Sequence, residues 1–275
     1  MQCVCMRLEA RFLHVIAFVG AWMCIGWLFH LRAETYLVLG VPLSIFFQLV
    51  VRRQPLRALW LRNSDRFRLG PIGVLSALVF ITIPAMALFV TIPKGEWPES
   101  TFFVVSCAGA VGAGFTLQQS RSALSPSALR PFVVAVALGI LVMAVGAISE
   151  SRSPWLPASR LPSLLLGVFT YIPVCFAMEE VVFRGLLDTH VWQPGCSRAR
   201  SWISALVVTS LWGLWHLPIL PQQSISSLLA AAPLMIFVHS LHGVFIAFSW
   251  RASGSLLLPA IYHSLIDAYR DALHS

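Results

Sequence analysis

Long apolar runs separated by short polar connections form the main pattern of the chain. Each run is close to the roughly 17–25 apolar residues that a helix needs to cross the hydrocarbon core of a bilayer. The pattern predicts an all-α, polytopic membrane bundle of eight or nine transmembrane helices, depending on whether the last run crosses completely. The predicted spans are 12–31, 35–51, 70–92, 101–117, 131–149, 163–187, 202–220, 227–250 and 254–270.

The composition agrees with a chain that lies in lipid. Hydrophobic residues make up 58% of it and charged residues only 11%, with a mean hydropathy of +0.80, whereas about a quarter of the residues in soluble domains are charged. No polar linker or internal repeat interrupts the apolar runs. We therefore expect an integral membrane protein in which residues 1–275 form a single membrane domain.

The formal net charge of +8 comes mostly from arginines between the apolar runs. Segment 52–68 alone carries six Arg and one Asp, and short loops rich in Lys and Arg stay in the cytoplasm. Counting spans from this segment places the N-terminus in the cytoplasm, and the inner (plasma) membrane is the expected location. Attraction to anionic lipid headgroups accounts for the positive charge. The bilayer is therefore an expected partner, and binding to nucleic acid is not expected.

The sixth span contains three charged residues in the stretch FAMEEVVFRGLL at 176–187. Each costs about 2.5–3.5 kcal/mol at the centre of a transmembrane helix, so partners are expected. Glu180 and Arg184 are four positions apart with the acid first, which favours an ion pair on one helix face. Glu179 then lies about 100° round the helix, free to face a polar cavity. Alternatively, all three lie among the cytoplasmic headgroups, with Arg184 extended towards water and the helix ending near Gly185.

Two further spans each carry a polar or aromatic pair one helical turn apart. Trp212 and His216 lie in the seventh, and His263 and Asp267 lie in the last. Residues four positions apart share a helix face. A single buried histidine is usually structural, but here three helices each contribute a titratable residue. We therefore predict that these pairs form one cluster with Glu179.

Other polar residues in the spans are interpreted as structural. His239 and His242 are three positions apart in the eighth span, but their helix has no acidic companion, so they are predicted to support the fold or the cluster from behind. The cysteines show no CxxC spacing, so neither a disulfide framework nor a thiolate metal site is predicted. The cysteines are Cys3, Cys5, Cys24, Cys107, Cys175 and Cys196.

Two chemistries fit this set of residues. In the first, Glu179 is a general base and His216 polarises a water that attacks a peptide carbonyl, while His263 and Asp267 stabilise the oxyanion. In the second, a zinc ion is held by histidines and carboxylates drawn from Glu179, His216, His263 and Asp267, and an unused carboxylate activates the bound water. No HExxH sequence is present to favour the second.

The motifs resemble those of the CAAX prenyl protease and bacteriocin-processing family of intramembrane proteases. They are EExxxR at 179–184, WxxxH at 212–216 and HxxxD at 263–267, in the order that the family has them. The resemblance covers about 160–270, a catalytic half, whereas the additional helices within 1–150 share with the family only their apolar character.

The resemblance implies a helical membrane bundle with a cavity that opens towards the cytoplasm and the bilayer. It implies that Glu179 is the catalytic base, that His216 is its partner on the water and that His263 with residue 267 stabilises the oxyanion. Glu180, Arg184 and Trp212 would support them. It also implies a glutamate-dependent mechanism, with no cofactor expected and zinc as the alternative.

The chain departs from the family pattern at two positions. Trp212 stands where the family usually has Phe, which changes only the bulk of the side chain. Asp267 stands where the family usually has Asn, and an ionised carboxylate cannot donate a hydrogen bond to an oxyanion as an amide can. Either Asp267 is protonated, or it orients His263 and leaves the donation to that ring. The carboxylate also makes a metal site more credible than in a typical member.

The expected function is that of an intramembrane endopeptidase acting on a membrane-associated peptide or protein tail. The substrate would be a lipidated C-terminus, a leader, a sorting tail or a toxin precursor. Two other classes remain open. In a transport or proton-relay protein the same side chains would form a polar path through the bundle, and a non-catalytic immunity protein would keep the motifs without using them.

Overall fold

The computed structural model describes residues 2–60, 70–118, 124–150, 153–220 and 224–274. The part of the basic segment 52–68 that follows residue 60 therefore lies outside the described residues. The helices are α1 (Gln2–Leu28), α2 (Ala33–Phe46), α3 (Pro71–Thr91), α4 (Trp97–Gln118), α5 (Pro126–Ser149), α6 (Leu161–Cys175), α7 (Arg198–Trp215), α8 (Ile225–Ser253) and α9 (Leu257–His274).

Eight of the described segments are long and apolar enough to cross a membrane. They are Ala10–Leu28, Ala33–Val51, Pro71–Thr91, Trp97–Gln118, Pro126–Ser149, Ala158–Val191, Arg198–Ile219 and Ile225–Ser253. The predicted all-α membrane bundle is thereby confirmed. The last predicted span, 254–270, forms α9, which is not among these eight segments.

Helix ends follow ordinary capping rules where they differ from the predicted spans. Helix α5 begins at Pro126 rather than at residue 131, because proline suits the first position of a helix, where its missing N–H costs nothing. Helix α8 ends at Gly254, whose φ of +66° favours glycine. Its N–H donates to the Trp250 carbonyl at 2.7 Å. The Gly254 cap thus fixes the start of the short connection that leads into α9.

The sixth span changes its hydrogen-bonding pattern in the middle. Helix α6 continues from Phe176 to Asp188 as a π-helix, which has i→i+5 hydrogen bonds and is rare outside functional sites. The span then runs on to Val191, four residues past the predicted end at residue 187, and the helix end near Gly185 in the alternative interpretation is wrong. Gly185 instead lies against the backbone of the short helix Leu56–Leu59, where a Cβ atom would approach the Leu59 carbonyl oxygen to 2.1 Å.

The π-helix occupies the centre of the bundle. It contacts α2, α4, α7, α8 and α9, while α3 packs on α4, α5 on α8, and α6 on α9. The largest cluster of buried apolar side chains includes Phe176, Val182, Phe183 and Leu186 from this segment. A side chain on the π-helix is therefore surrounded by protein on most sides.

A buried ion pair joins the end of the π-helix to α7 and α8. The Arg251 guanidinium donates to both carboxylate oxygens of Asp188, at 2.9 and 2.5 Å. It also donates to the Ser201 carbonyl at 2.6 Å and to the Ser204 hydroxyl at 3.0 Å. Asp188 is fully buried and Arg251 nearly so. Each member therefore depends on the other for its charge compensation.

We predict that Arg251→Ala lowers the free energy of unfolding by about 3–5 kcal/mol, because it leaves the Asp188 carboxylate buried without its counter-charge. Thermal melting of the detergent-purified protein measures the effect, with Arg130→Ala as the control because Arg130 is exposed. Equal melting temperatures for the two variants would contradict this account of the ion pair.

Candidate active site

Glu179 lies at the centre of a cluster formed by the π-helix, α7 and α9. Its Oε2 atom accepts a hydrogen bond from the Trp212 indole N–H at 2.9 Å. The same oxygen is 3.4 Å from Nε2 of His263 and 4.0 Å from Nε2 of His216. The structure thus brings together residues of all three motifs around one carboxylate oxygen.

The predicted ion pair between Glu180 and Arg184 is confirmed. Nε of Arg184 lies 3.6 Å from Oε2 of Glu180, and both side chains are buried. The guanidinium also lies over the Trp212 ring, 4.8 Å from its centre, which adds a cation–π contact. Arg184 has no exposed surface, so the alternative in which it extends to the headgroups is wrong.

Glu180 has a second contact that the sequence did not indicate. Its other carboxylate oxygen, Oε1, lies 3.0 Å from Nδ1 of His263. A carboxylate can only accept, so Nδ1 carries the proton and donates. This contact directs Nε2 of His263 towards Glu179 and towards Oδ2 of Asp267, which is 3.7 Å away. Glu180, rather than Asp267, therefore orients the His263 ring through its Nδ1 atom.

Asp267 is held between α9 and α6. Its Oδ1 atom accepts from Arg270 at 3.0 Å, and its Oδ2 atom accepts from the Cys175 thiol at 3.7 Å. An arginine partner suits an ionised carboxylate. Of the two alternatives for Asp267, this geometry favours the carboxylate over the protonated acid.

His216 follows the last residue of α7. Its Nδ1 atom lies 2.9 Å from the Trp212 carbonyl oxygen, which can only accept, so Nδ1 donates. In the neutral ring Nε2 then carries the lone pair, and this is the atom that faces Glu179. The Trp212 side chain and backbone thus position both residues.

His239 and His242 lie behind this cluster, as predicted. Both rings meet the Trp212 ring nearly at right angles, with centres 4.7 and 5.8 Å away. The His239 ring also lies 4.4 Å from the His216 ring. His239 is fixed by a hydrogen bond from Nδ1 to the Met235 carbonyl at 2.8 Å.

The leading helices hold the end of α7 in place. Tyr36 of α2 donates its hydroxyl proton to the Trp215 carbonyl at 2.9 Å, and the two rings stack with centres 5.3 Å apart. The carbonyls of a last helical turn have no partner within the helix, so this bond satisfies one of them beside His216. Trp22 of α1 in turn donates to the Tyr36 carbonyl at 2.9 Å. The sequence did not reveal these contacts, because they join residues far apart in the chain.

The candidate metal ligands differ from the predicted set. Among the described residues, the ligand atoms of Cys175, Glu179 and His263 all lie within 4.8 Å of one another, and all three side chains are buried. Cys175 was not among the predicted metal ligands. His216 and Asp267 were, but neither belongs to this group of three.

Residues 160–269 match the family described as "Type II CAAX prenyl endopeptidase Rce1-like". The match confirms the resemblance to the CAAX prenyl protease and bacteriocin-processing family over this part of the chain, which contains all three motifs. No curated protein and no solved structure matches the chain. Together with the eight apolar helices, the family match identifies an integral membrane protein with a protease-type domain.

We predict that Tyr36→Phe lowers kcat for peptide cleavage about tenfold and changes KM little. The tenfold factor corresponds to a loss of about 1.4 kcal/mol in transition-state stabilisation. The variant frees the end of α7 beside His216 without touching the reacting groups. Tyr269→Phe is the control, since Tyr269 also donates to a backbone carbonyl, that of Pro154 at 3.0 Å, but away from the cluster. Equal kcat values for both variants would contradict this positioning role.

Proposed function

We propose that the chain is an intramembrane endopeptidase that hydrolyses a membrane-associated peptide or protein tail, with Glu179 as the general base. The single observation that carries the proposal is the convergence of Trp212, His216 and His263 on one carboxylate oxygen of Glu179, at distances of 2.9 to 4.0 Å. Glutamate, two histidines and an indole N–H provide the base, the water partner and the hydrogen-bond donor that amide hydrolysis requires.

Water attack is assigned to the space between Glu179 and His216. The 4.0 Å separation between Oε2 and Nε2 leaves room for a water that donates one hydrogen bond to each atom. As the water oxygen attacks the carbonyl carbon, Glu179 takes its proton. The Trp212 indole keeps the carboxylate in place throughout.

Stabilisation of the oxyanion is assigned to His263. With Nδ1 donating to Glu180, His263 must act as the imidazolium, which the carboxylates of Glu179, Glu180 and Asp267 surround. Its second proton, on Nε2, is then donated to the carbonyl oxygen as it becomes negative. Asp267 cannot donate as a carboxylate. Its role is to stabilise the positive charge of the His263 ring from the Nε2 side. The C–N bond then breaks, and the proton held by Glu179 passes to the leaving amine.

The family and the bundle support a substrate that arrives within the membrane. The matched family is described by its action as a CAAX prenyl endopeptidase, which favours a lipidated C-terminal tail over a leader, a sorting tail or a toxin precursor. The arginine-rich segment 52–68 favours an N-terminus on the cytoplasmic side of the plasma membrane.

The geometry favours hydrolysis over the two other classes. A proton relay needs titratable groups at successive depths across the bilayer, whereas here two of them, His216 and His263, converge on one oxygen of Glu179. An immunity protein without catalysis would tolerate the loss of the Glu179 carboxylate, which the following experiment tests.

We predict that Glu179→Gln lowers cleavage of membrane-tail peptides by at least about 10²-fold, because an amide cannot take the proton of the water. The detergent-purified variant should melt close to the wild type, since glutamine keeps the shape and can still accept from Trp212. Glu150→Gln, which changes an exposed carboxylate, is the control.

Each protein is assayed with and without a strong chelator. Cleavage that needs Glu179 and survives chelation is the expected result. Wild-type rates for Glu179→Gln would contradict the proposal, and cleavage that is lost on chelation and restored by zinc would replace the glutamate mechanism with a metal-dependent one.

We predict that Asp267→Asn retains or raises the cleavage rate. The amide keeps the size of the side chain and adds an N–H that can donate to the oxyanion alongside His263. Steady-state rates of the variant and the wild type measure the effect. The control is Asp271→Asn, which makes the same change at an exposed position one turn further along α9. Complete loss of cleavage in Asp267→Asn alone would assign an essential function to the carboxylate.

A further inference from the structure

We propose that Cys175, Glu179, His263 and Asp267 form a closed zinc site, and that zinc bound there switches the endopeptidase off. The observation behind it is that the ligand atoms of Cys175, Glu179 and His263, from α6, the π-helix and α9, lie within 4.8 Å of one another. Oδ2 of Asp267 contacts two of them, Nε2 of His263 and Sγ of Cys175, each at 3.7 Å. Binding itself is independent of the proposed function, whereas the inhibition rests on it.

The distances between the four side chains suit a tetrahedral ion. Zinc binds nitrogen, oxygen and sulfur at about 2.0–2.3 Å, which places neighbouring ligand atoms about 3.3–3.8 Å apart. Nε2 of His263 lies 3.4 Å from Oε2 of Glu179 and 3.7 Å from Oδ2 of Asp267. Sγ of Cys175 lies 3.7 Å from the same Asp267 oxygen. Small side-chain adjustments would place all four around one ion.

The surrounding contacts leave a lone pair on each of the four ligand atoms, including Oε2 of Glu179, which also accepts from the Trp212 indole. Glu180 accepts from Nδ1 of His263 and so directs Nε2 into the group, as carboxylates commonly do behind zinc-bound histidines. Arg270 binds Oδ1 of Asp267, so Oδ2 remains available. The Arg270 guanidinium also offsets part of the negative charge of a thiolate and two carboxylates.

The kind of ligands selects the kind of ion. A thiolate and an imidazole favour zinc over magnesium or calcium, which prefer oxygen ligands alone. Four protein ligands fill a tetrahedral zinc site, whereas catalytic zinc sites keep one position open for water.

Zinc binding and the proposed hydrolysis need the same atoms. The ion would take Oε2 of Glu179, the atom assigned to remove the proton of the water, and Nε2 of His263, the atom assigned to the oxyanion. Binding releases two protons, that of the Cys175 thiol as the thiolate forms and that on Nε2 of His263. The zinc-bound chain would therefore be a reversible inactive state.

Cobalt substitution tests the site directly, because a thiolate bound to Co²⁺ gives a charge-transfer absorption that histidine and carboxylate ligands do not. The purified full chain is stripped with a chelator, titrated with Co²⁺ and then with Zn²⁺, and metal content is measured by elemental analysis. Cys175→Ser is compared with Cys107→Ser, a matched thiol on α4 outside the group.

The wild type and Cys107→Ser should bind one ion per chain and give the thiolate–cobalt band, which Zn²⁺ removes. Cys175→Ser should lose the band and bind zinc at least about tenfold more weakly. Removing a group that only hydrogen-bonds to a metal ligand already weakens metal binding by about that factor. Absence of the band in the wild type, or its persistence in Cys175→Ser, would overturn the site.

Inhibition is measured separately, with each protein referred to its own zinc-free rate. Zinc should suppress cleavage by the wild type and by Cys107→Ser at concentrations that leave the remaining activity of Cys175→Ser unaffected. Activation of the wild type by zinc would overturn the inhibitory role. If no substrate is cleaved by any variant, the proposed function fails, while the cobalt spectra still decide whether the site exists.

Discussion

The compensation of Glu180 by Arg184 is the interaction on which the rest of the site depends. Two adjacent carboxylates in the middle of an apolar bundle would repel each other and lose hydration. Arg184 offsets one of them at 3.6 Å while lying over the Trp212 ring. Glu180 can then orient His263 through its second oxygen, and Glu179 is left with no arginine partner among its contacts with Trp212, His216 and His263. Two neighbouring residues of the same type thus have different surroundings, which fit a structural task for Glu180 and the proposed reactive task for Glu179.

The helices outside the family-matched region complete this arrangement. The matched residues 160–269 contain all three motifs, but the end of α7 beside His216 is fixed by Tyr36, and Tyr36 is fixed by Trp22. The close approach of Gly185 to the Leu59 backbone similarly requires a residue without a side chain on the π-helix. The leading helices therefore shape the site as well as anchor the chain in the membrane.

The sequence predicted the features that depend on one helix at a time. Apolar run length predicted the membrane spans, and spacing predicted the Glu180–Arg184 pair and the pairing of His263 with Asp267 on one face. The gathering of the three motifs around Glu179 was also predicted, but other contacts between helices were not. The Cys175–Asp267 contact links residues 92 positions apart, and the absence of CxxC spacing argued against a thiolate site. Hydropathy also cannot distinguish a π-helix from an α-helix, so the change of hydrogen-bonding pattern within the sixth span was not predicted.

A double-mutant cycle on Glu180 and Arg184 tests most directly whether their mutual compensation sustains the site. Melting of the detergent-purified wild type, Glu180→Gln, Arg184→Met and the double variant gives the coupling between the two side chains. The account predicts that Arg184→Met is the least stable, by about 3–5 kcal/mol, because it leaves Glu180 uncompensated, and that adding Glu180→Gln recovers part of that loss. Wild-type melting of Arg184→Met, or a double variant less stable than Arg184→Met, would contradict it.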